Sequence, residues 1–340
     1  MNSMKKIFYT CLVLLVSGIG SSTFAQLSKV GTTAGDFLRF PVGARASAMS
    51  AFTATLNDPS AMVLNPAGLA ELQDEEVLIE FTDYYLDFTH SYVGIGIPTK
   101  SGVAGIHVLA MNYGEFEETT EQAQGKTGRT FGAYSVTVGG SYSQYLTEKL
   151  SVGGTIKFVH EQIEDVSASG LAFDIGTVFI TPFDDIRFGV SVTNIGSKMQ
   201  LTGNGLITDG DLDNSSSGNN ETDCYLATQE YDLPLMLRVG FAWDAYSSED
   251  IRATLTLDGN NPSNNVQSFS VGGEISLLND TVFLRGGVPY IGQNNSRETF
   301  NAGVGFKYQV DSSLKLGFNY AYHGYEYLGD VNKLSLQVYF

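Results

Sequence analysis

The sequence has few cysteines and few basic residues, and each shortage excludes a class of protein. Its two cysteines are Cys11 and Cys224, and Cys11 lies in a segment that we expect to be removed, so no intramolecular disulfide holds the fold. Lys and Arg number 19 against 37 Asp and Glu, which gives a formal net charge of −18. Proteins that bind nucleic acid need a basic face, so we expect no nucleic-acid partner.

The sequence also lacks a long apolar run after its first residues. No stretch of 18 apolar residues follows residue 25, which argues against membrane-spanning helices in that part. Lys5 and Lys6, the apolar stretch 7–19 and the small-residue pattern that ends at Ala25 predict a cleavable signal peptide over residues 1–25. A membrane anchor is the alternative, but the apolar stretch is shorter than the ~20 residues that a spanning helix needs.

Glycine and aromatic residues are abundant instead, with 38 Gly, 21 Phe and 18 Tyr. This composition is typical of strands joined by tight turns. From residue 75 onward, apolar side chains recur with a period of two in about 14 segments, and an even number lets both ends of a closed wall lie on one side. The segments run over residues 75–87, 90–98, 102–114, 129–145, 149–163, 169–181, 185–196, 233–246, 249–259, 265–278, 281–292, 298–310, 312–324 and 330–340.

The two faces of these segments predict a transmembrane barrel. One face is bulky and aromatic, and the other carries small residues and charges in mid-strand. A sandwich in water could show such a polar face, but the aromatic face is typical of a barrel with an apolar band outside and a polar lumen. The wall must close, because unpaired backbone groups in lipid cost several kcal/mol each. The charges expected to face the lumen are Asp174, Arg187, Arg238, Arg252, Asp258, Glu274 and Arg285.

A short helix-like stretch, "NDPSAMVLNPAGLAEL" at residues 57–72, precedes the strands. Pro66 lacks a backbone donor and should turn the chain after Asn65, whose amide can satisfy nearby backbone groups. We expect residues 26–74 to form a plug, or hatch, inside a barrel formed by residues 75–340. The alternative is a helix terminator without a gating role. Alanines upstream give a slim surface that fits a narrow lumen: Ala44, Ala46, Ala48, Ala51 and Ala54.

Residues 43–70, "GARASAMSAFTATLNDPSAMVLNPAGLA", resemble the N-terminal hatch of the FadL-like fatty-acid-transporter superfamily. The resemblance implies an all-β, 14-stranded antiparallel transmembrane barrel with a small helical hatch in its lumen, located in the bacterial outer membrane. The hatch motif of the superfamily matches these positions: Asn65, Pro66, Ala67 and Gly68. Five stretches in order are similar to the PorV/PorQ family of outer-membrane proteins linked to type IX secretion: "DFLRFPVGARASAMSAFTA" at 36–54, "DPSAMVLNPAGLA" at 58–70, "VTNIGSKM" at 192–199, "LPLMLRVG" at 233–240 and "VGGEISLLNDTVFLRGG" at 271–287.

The C-terminal residues resemble the signal by which the barrel-assembly machinery recognises outer-membrane barrels. Leu334, Leu336, Val338 and Phe340 form one face of the last segment. The alternative is an amphipathic strand that ends in Phe for other reasons. Together with the signal peptide, this pattern favours export to the outer membrane, where lipid surrounds the barrel.

No residue pattern indicates an enzyme, a cofactor or a metal site. The stretch that begins at Asp209 is similar to a calcium loop, but Asn214 and Asn220 stand where such a loop needs Gly and Glu. No nucleophile-elbow sequence is present, and the GxG pairs lie on strands without a following helix. The histidines are far apart and lack metal-ligand spacing: His90, His107, His160 and His323.

Two functions stay open. In the first, which the PorV/PorQ resemblance implies, a permanently plugged barrel presents its outer loops to a secretion translocon or to exported cargo. In the second, the hatch moves and a hydrophobic molecule such as a long-chain fatty acid passes through. The charged, glycine-rich inward residues favour the first, with Glu274 and Arg285 as a candidate pair that seals the lumen. By strand parity, the acidic loops 115–128 and 197–232 lie outside the cell, where a partner could contact them.

Overall fold

The computed structural model describes residues 29–120, 125–183, 186–211, 221–293, 298–327 and 329–340. The expected signal peptide lies outside these ranges, as do Asn214 and Asn220 of the calcium-like stretch.

In the described part of the chain, fourteen strands form one closed antiparallel barrel. Each strand pairs with its neighbours along the sequence, and the last pairs with the first. The strands are β1 (Glu76–Asp83), β2 (Thr89–Pro98), β3 (Val103–Thr119), β4 (Lys126–Thr147), β5 (Leu150–Ile163), β6 (Val166–Ile180), β7 (Arg187–Gly196), β8 (Met236–Ser247), β9 (Ile251–Pro262), β10 (Ser268–Leu277), β11 (Val282–Ile291), β12 (Glu298–Gln309), β13 (Lys315–Tyr325) and β14 (Val331–Tyr339). The barrel expected from the alternation is confirmed. We call the end where β1 begins and β14 ends the proximal end, and the opposite end, which carries the long connections, the distal end.

The alternation sorts side chains between the lumen and the outside. In β1, Leu78 and Glu80 point inward and are at most 2% exposed, while Ile79 and Phe81 point outward with exposures of 43% and 51%. The pairing register keeps apolar residues together on the outside, as where Phe81 lies opposite Leu334 of β14. Because backbone groups pair around the wall, its outer surface can be apolar without leaving donors and acceptors unpaired.

The β3–β4 hairpin extends beyond the neighbouring strands. The prediction of a loop over residues 115–128 is wrong at both ends, because β3 continues to Thr119, which pairs with Lys126 at the start of β4. Phe116 and Phe131 stack across the hairpin with ring centroids 5.5 Å apart. This cross-strand aromatic pair offsets the low strand propensity of the glutamates around it.

The predicted loop over residues 197–232 contains short strands of its own. Ile207–Asp211 pairs with Glu221–Tyr225, and Met199–Gln200 pairs with Glu230–Tyr231. Met199 is 1% exposed and packs with lumen residues, whereas Tyr225 is 68% exposed. The described parts of this segment therefore lie at the distal end of the barrel, with Met199 packed against the lumen and Tyr225 exposed.

The residues before β1 fill the lumen as a plug. Helix α1 (Ala44–Met49) contacts β10 to β14, while α2 (Ala61–Leu64) and the 3-10 helix Pro66–Glu71 contact β3 to β7. The five alanines expected to give a slim surface are each at most 3% exposed. The other 3-10 helices are Asp36–Arg39, Tyr85–Asp87 and Asn204–Leu206.

None of the helices in the described ranges has the length and apolar character needed to cross a membrane.

An arginine on the outer face tests whether that face meets lipid. Leu255 of β9 points outward and is 55% exposed. We expect Leu255→Arg to lower the free energy of unfolding by about 2–4 kcal/mol, the cost of a cation near the middle of an apolar band. Urea titration of the barrel folded into lipid vesicles measures this loss. Leu278→Arg, in the exposed turn after β10, is the matched control and should change the value by about 0.5 kcal/mol or less. Equal losses at both positions would contradict the orientation of the wall.

Candidate functional site in the plugged lumen

The hatch motif lies on the side of the plug that contacts β3 to β7. Asn65 Nδ2 donates to the carbonyl oxygens of Thr53, at 2.8 Å, and Thr177, at 3.4 Å. Its Oδ1 accepts from the Ala67 N–H at 3.3 Å. One side chain therefore links two parts of the plug to β6.

Glycines allow the motif to approach its surroundings closely. A Cβ atom at Gly176 would overlap the side-chain oxygen of Asn65, and one at Gly153 would overlap the carbonyl group of Pro66. A Cβ at Gly68 of the motif itself would overlap the preceding part of the plug. These three positions therefore exclude larger residues for steric reasons.

A charged layer joins α1 to β10 and β11. Glu274 accepts from Arg45 Nε at 3.0 Å and from Arg285 Nε at 2.6 Å, and Arg285 also donates to Asn319 at 2.7 Å. Burial lowers the pKa of the Arg45 guanidinium, but the Glu274 carboxylate outweighs this effect and raises it above its usual value. The structure thus brings the expected pair together and adds Arg45, which sequence reasoning missed. A lone arginine in a small-residue helix was the available signal.

Asp258, one of the charges expected in the lumen, binds the plug directly. Its Oδ2 accepts from the backbone N–H groups of Phe52 and Thr53 at 2.8 and 3.0 Å, and from the Thr53 hydroxyl at 2.7 Å. A carboxylate that accepts three hydrogen bonds from one segment fixes the position of that segment against β9.

A second carboxylate anchor, missed by the sequence analysis, joins β1 and β14 to the plug. Glu80 accepts from the Gly43 N–H and lies 3.2 Å from the Lys333 ammonium, which donates to the Pro41 carbonyl. His90 Nδ1 is 3.3 Å from the same carboxylate. Both charges are buried and each is satisfied partly by plug backbone, so plug and wall complete one cluster.

The remaining expected lumen charges lie within the wall. Asp174 pairs with Lys157 at 2.7 Å, and each is 1% exposed. Arg238 is 4% exposed and lies in the distal half. Two more pairs lie towards the proximal end: Arg187 with Asp244 at 2.8 Å, and Arg252 with Asp280 at 3.0 Å.

The residues of the expected assembly signal lie on and after β14. Leu334, Leu336 and Val338 point outward, and Phe340 is 59% exposed. The Phe340 N–H donates to the Glu75 carbonyl at 2.9 Å, which continues the pairing of β14 with β1. Recognition of these residues during assembly stays a prediction.

An apolar cavity lies at the distal end, between the inner wall and the residues that precede the plug helices. Its volume is about 600 Å³, which is within the range of sites that hold small organic molecules. Ser135, Glu161 and Gln162 give it a few polar groups. Its apolar and small lining residues are Gly31, Ala34, Tyr113, Phe116, Phe131, Ala133, Ile163, Ala168, Met199, Leu201 and Tyr231.

The expectation of a charged, glycine-rich lumen is wrong for the part of β3 and β5 near this cavity. Leu109, Met111 and Val159 point inward and are at most 3% exposed. The sequence conceals them because the outward residues Val108 and Ala110 are apolar too. Without polar alternation, neither face of this stretch can be recognised as the inner one.

The wall beside this cavity is irregular. The pairing of β3 with β4 shifts register between Asn112 and Glu115, and Gly114 has a φ of 73°. A groove of about 770 Å³ lies along this part of the wall. The cavity and the groove share four lining residues: Ala133, Tyr134, Ser135 and Gln162. The two spaces therefore meet at the register shift.

Among the described residues, no group of three or more His, Cys, Asp or Glu side chains is placed to hold a metal ion. His107 is buried and stacks on Tyr92, with ring centroids 5.9 Å apart.

An added methyl group tests the contact between the hatch motif and the wall. Gly176→Ala should displace Asn65 and lower the free energy of unfolding by about 1–3 kcal/mol, the usual cost of overpacking. Urea titration of the folded barrel measures the loss. Gly140→Ala on β4 is the control, because a Cβ there meets nothing within 4 Å. If both variants unfold at the same urea concentration, the motif does not touch the wall as described.

No protein-family model and no curated protein matches the sequence. Solved structures match its fold. The toluene transporter TbuX of Ralstonia pickettii is 12% identical with a TM-score of 0.57, and the match covers 87% of this chain and 97% of that one. The monoaromatic hydrocarbon channel CymD is 14% identical with a TM-score of 0.54, covering 87% and 96%. The Pseudomonas putida toluene transporter TodX is 11% identical with a TM-score of 0.52, covering 87% and 96%.

At these identities the likeness shows the fold alone. The chain shares with these channels a closed antiparallel barrel of 14 strands. The narrower resemblance to the PorV/PorQ family is not confirmed by any family model.

Proposed function

We propose that this chain is an outer-membrane channel that binds hydrophobic small molecules in its distal apolar cavity. The observation that carries the proposal is the cavity itself, about 600 Å³ and lined by residues such as Phe116, Phe131 and Met199. Apolar clefts of this size with a few polar groups are typical ligand sites. The shared fold of toluene and monoaromatic hydrocarbon channels supports this function over the secretion role favoured by the sequence.

We place the exit for the ligand in the wall and not through the plug. An apolar molecule moving past Glu274 and Arg45 would have to separate a buried ion pair, and leaving either charge unpaired costs several kcal/mol. The register shift of β3 at Gly114 lies next to the cavity and requires no such separation. A ligand leaving there enters the apolar layer around the barrel.

This function places the distal end outside the cell and the outer face in lipid. We propose that residues 1–25 are removed as a signal peptide, that residues 26–74 act as the hatch and residues 75–340 as the barrel. We further propose that the face ending in Phe340 is read by the barrel-assembly machinery.

A tryptophan in the cavity tests the ligand site. Ala168 of β6 is 5% exposed and lines the cavity, so Ala168→Trp fills part of it. We expect the affinity for radiolabelled toluene and oleate to fall about tenfold or more, because the indole removes apolar contact area. Equilibrium binding to the protein in lipid nanodiscs, corrected for empty discs, measures the affinity. Ala302→Trp on the outer face of β12 is the control and should keep the wild-type affinity. Unchanged binding in the Ala168 variant would place the ligand elsewhere.

A secretion-linked role is the second candidate. Two observations favour it. The plug contacts strands on opposite sides of the barrel, and the distal end presents the β3–β4 hairpin and the paired strands Ile207–Asp211 and Glu221–Tyr225. Under this hypothesis these parts contact a translocon or exported cargo, while the lumen stays closed.

Crosslinking in intact cells separates the two candidates. A photoreactive residue in place of Tyr225, which is 68% exposed at the distal end, should capture a translocon component or a secreted protein if the second role holds. The same residue in place of Leu278, at the proximal end, is the control for position. Recovery of a hydrophobic molecule with the purified protein, and no position-specific protein crosslink, supports the channel.

A further inference from the structure

The distal apolar cavity contains a charged side chain to which the proposed channel function gives no role. Among the described residues that line the cavity, Glu161 of β5 is the only one with a charge. The aromatic rings of the lining belong to Tyr113, Phe116, Phe131, Tyr134 and Tyr231. A carboxylate in an apolar space is costly unless other groups bind it, so its partners determine which ligands the cavity favours.

No cation balances the Glu161 carboxylate. Within the described ranges it forms no ion pair, and Asp36 adds a second negative charge nearby. His160 lies on the other face of β5, where its ring stacks on Phe158 and its Nδ1 is 2.8 Å from a serine hydroxyl. The backbone N–H of Gly35, in the segment before the plug helices, is one donor to the carboxylate.

Two hydroxyl groups also direct their protons towards this carboxylate. Ser135 Oγ donates to Glu161 Oε1 at 3.3 Å, and the Tyr113 hydroxyl lies 3.2 Å from Ser135 Oγ. A serine hydroxyl has one proton, so Ser135 accepts from Tyr113 when it donates to Glu161. An ionised carboxylate can accept about four hydrogen bonds, and Ser135 and Gly35 provide two of them. The polar end of the cavity therefore has unused acceptor capacity.

Two other polar side chains of the lining have partners elsewhere. Gln162 accepts from the Tyr134 hydroxyl at 2.6 Å and donates to the Glu164 carbonyl at 3.0 Å. Thr33 Oγ1 accepts from Asn264 Nδ2 at 2.7 Å. None of these contacts involves the carboxylate, so its free acceptor positions are open to a ligand or to water.

We propose that the distal cavity selects hydrophobic molecules that carry a hydroxyl group, such as alkylphenols, and that Glu161 sets this preference. The inference rests on the proposed channel function and names its substrate class. The ring of such a molecule packs among the aromatic side chains while its O–H donates to the carboxylate. A hydroxyl suits the site better than an ammonium group, because the proposed exit leads into the apolar layer, where a cation is costly.

Two related classes of molecule bind less tightly for opposite reasons. A plain hydrocarbon displaces water from Glu161 and offers no donor in return, and a site built to hydrogen-bond its ligand rejects the analogue that lacks the group. A fatty acid brings a second carboxylate next to the first, and like charges repel most strongly where water is scarce. Glu161 therefore separates hydroxylated ligands from both classes.

Binding of p-xylene and p-cresol, which differ only by a methyl group in place of a hydroxyl, tests the preference. Equilibrium binding is measured near neutral pH with the protein in lipid nanodiscs. Each affinity is expressed relative to uptake by empty discs, so that the lipid solubilities of the two ligands cancel. On this scale we expect the wild type to bind p-cresol about tenfold more tightly, the effect of one hydrogen bond to a charged group. Glu161→Leu should bring the ratio close to one, because it removes the acceptor.

Two further variants separate the role of Glu161 from damage to the fold. Glu161→Gln keeps an acceptor oxygen but loses the charge, so p-cresol should bind less tightly, and oleate more tightly, than in the wild type. A damaged cavity would weaken the binding of both ligands. Asp165→Asn removes a charge from the exposed turn after β5 and is the control, which should bind all three ligands as the wild type does.

The outcomes distinguish this inference from the channel function. If p-xylene and p-cresol bind the wild type equally, or if Glu161→Leu keeps the wild-type ratio, the inference is wrong, while binding of p-xylene still supports the channel. If the wild type binds neither ligand, the channel function fails and the inference fails with it.

Discussion

In the proposed membrane location, the closed fold follows from the absence of water around the wall. In lipid a backbone N–H or C=O group has no solvent partner, so each must pair with another strand, and pairing around the whole wall forces closure. Small barrels of about eight strands can fill their interior with their own side chains, whereas wide porins keep an open channel. Fourteen strands fall between these cases. The lumen is too wide for the wall to fill, and the segment that precedes β1 occupies it.

A plug made of chain segments brings its own backbone N–H and C=O groups into the lumen, and these groups need space and hydrogen-bond partners. The wall provides both, through glycines and through charged side chains. Glycines such as Gly176 remove bulk where the plug touches a strand, and carboxylates such as Asp258 accept the N–H groups of the plug. Lys333 of the wall donates a hydrogen bond to the Pro41 carbonyl of the plug. A buried charge does not by itself show that a fold is more stable. Each of these charged side chains would lose a hydrogen-bond partner if the plug moved, so together they fix the position of the plug in the lumen.

The strands of the barrel wall could be predicted from the sequence because the alternation of side chains is a local pattern. Alternation needs only neighbouring residues, and it fixes which charges point inward in strands such as β9 and β10. The charged contacts that hold the plug against the wall could not be predicted from the sequence. Glu80 and Lys333 meet because β1 pairs with β14 in one register, and Arg45 meets Glu274 because the plug lies at one depth in the lumen. The distal cavity could not be predicted for a different reason. Around Leu109 both faces of β3 are apolar, so the alternation does not show which face points into the lumen. The acidic hairpin failed as a loop prediction because the Phe116–Phe131 pair outweighs local propensity.

One stretch of chain links the distal cavity to the plug. Ala34 lines the cavity, and Phe37 and Leu38 beyond it are buried in one apolar cluster with Leu109 of β3. The same segment then continues into α1. In the proposed channel, a ligand in the cavity therefore contacts the segment that leads into the plug, whereas the hatch motif lies further along the chain.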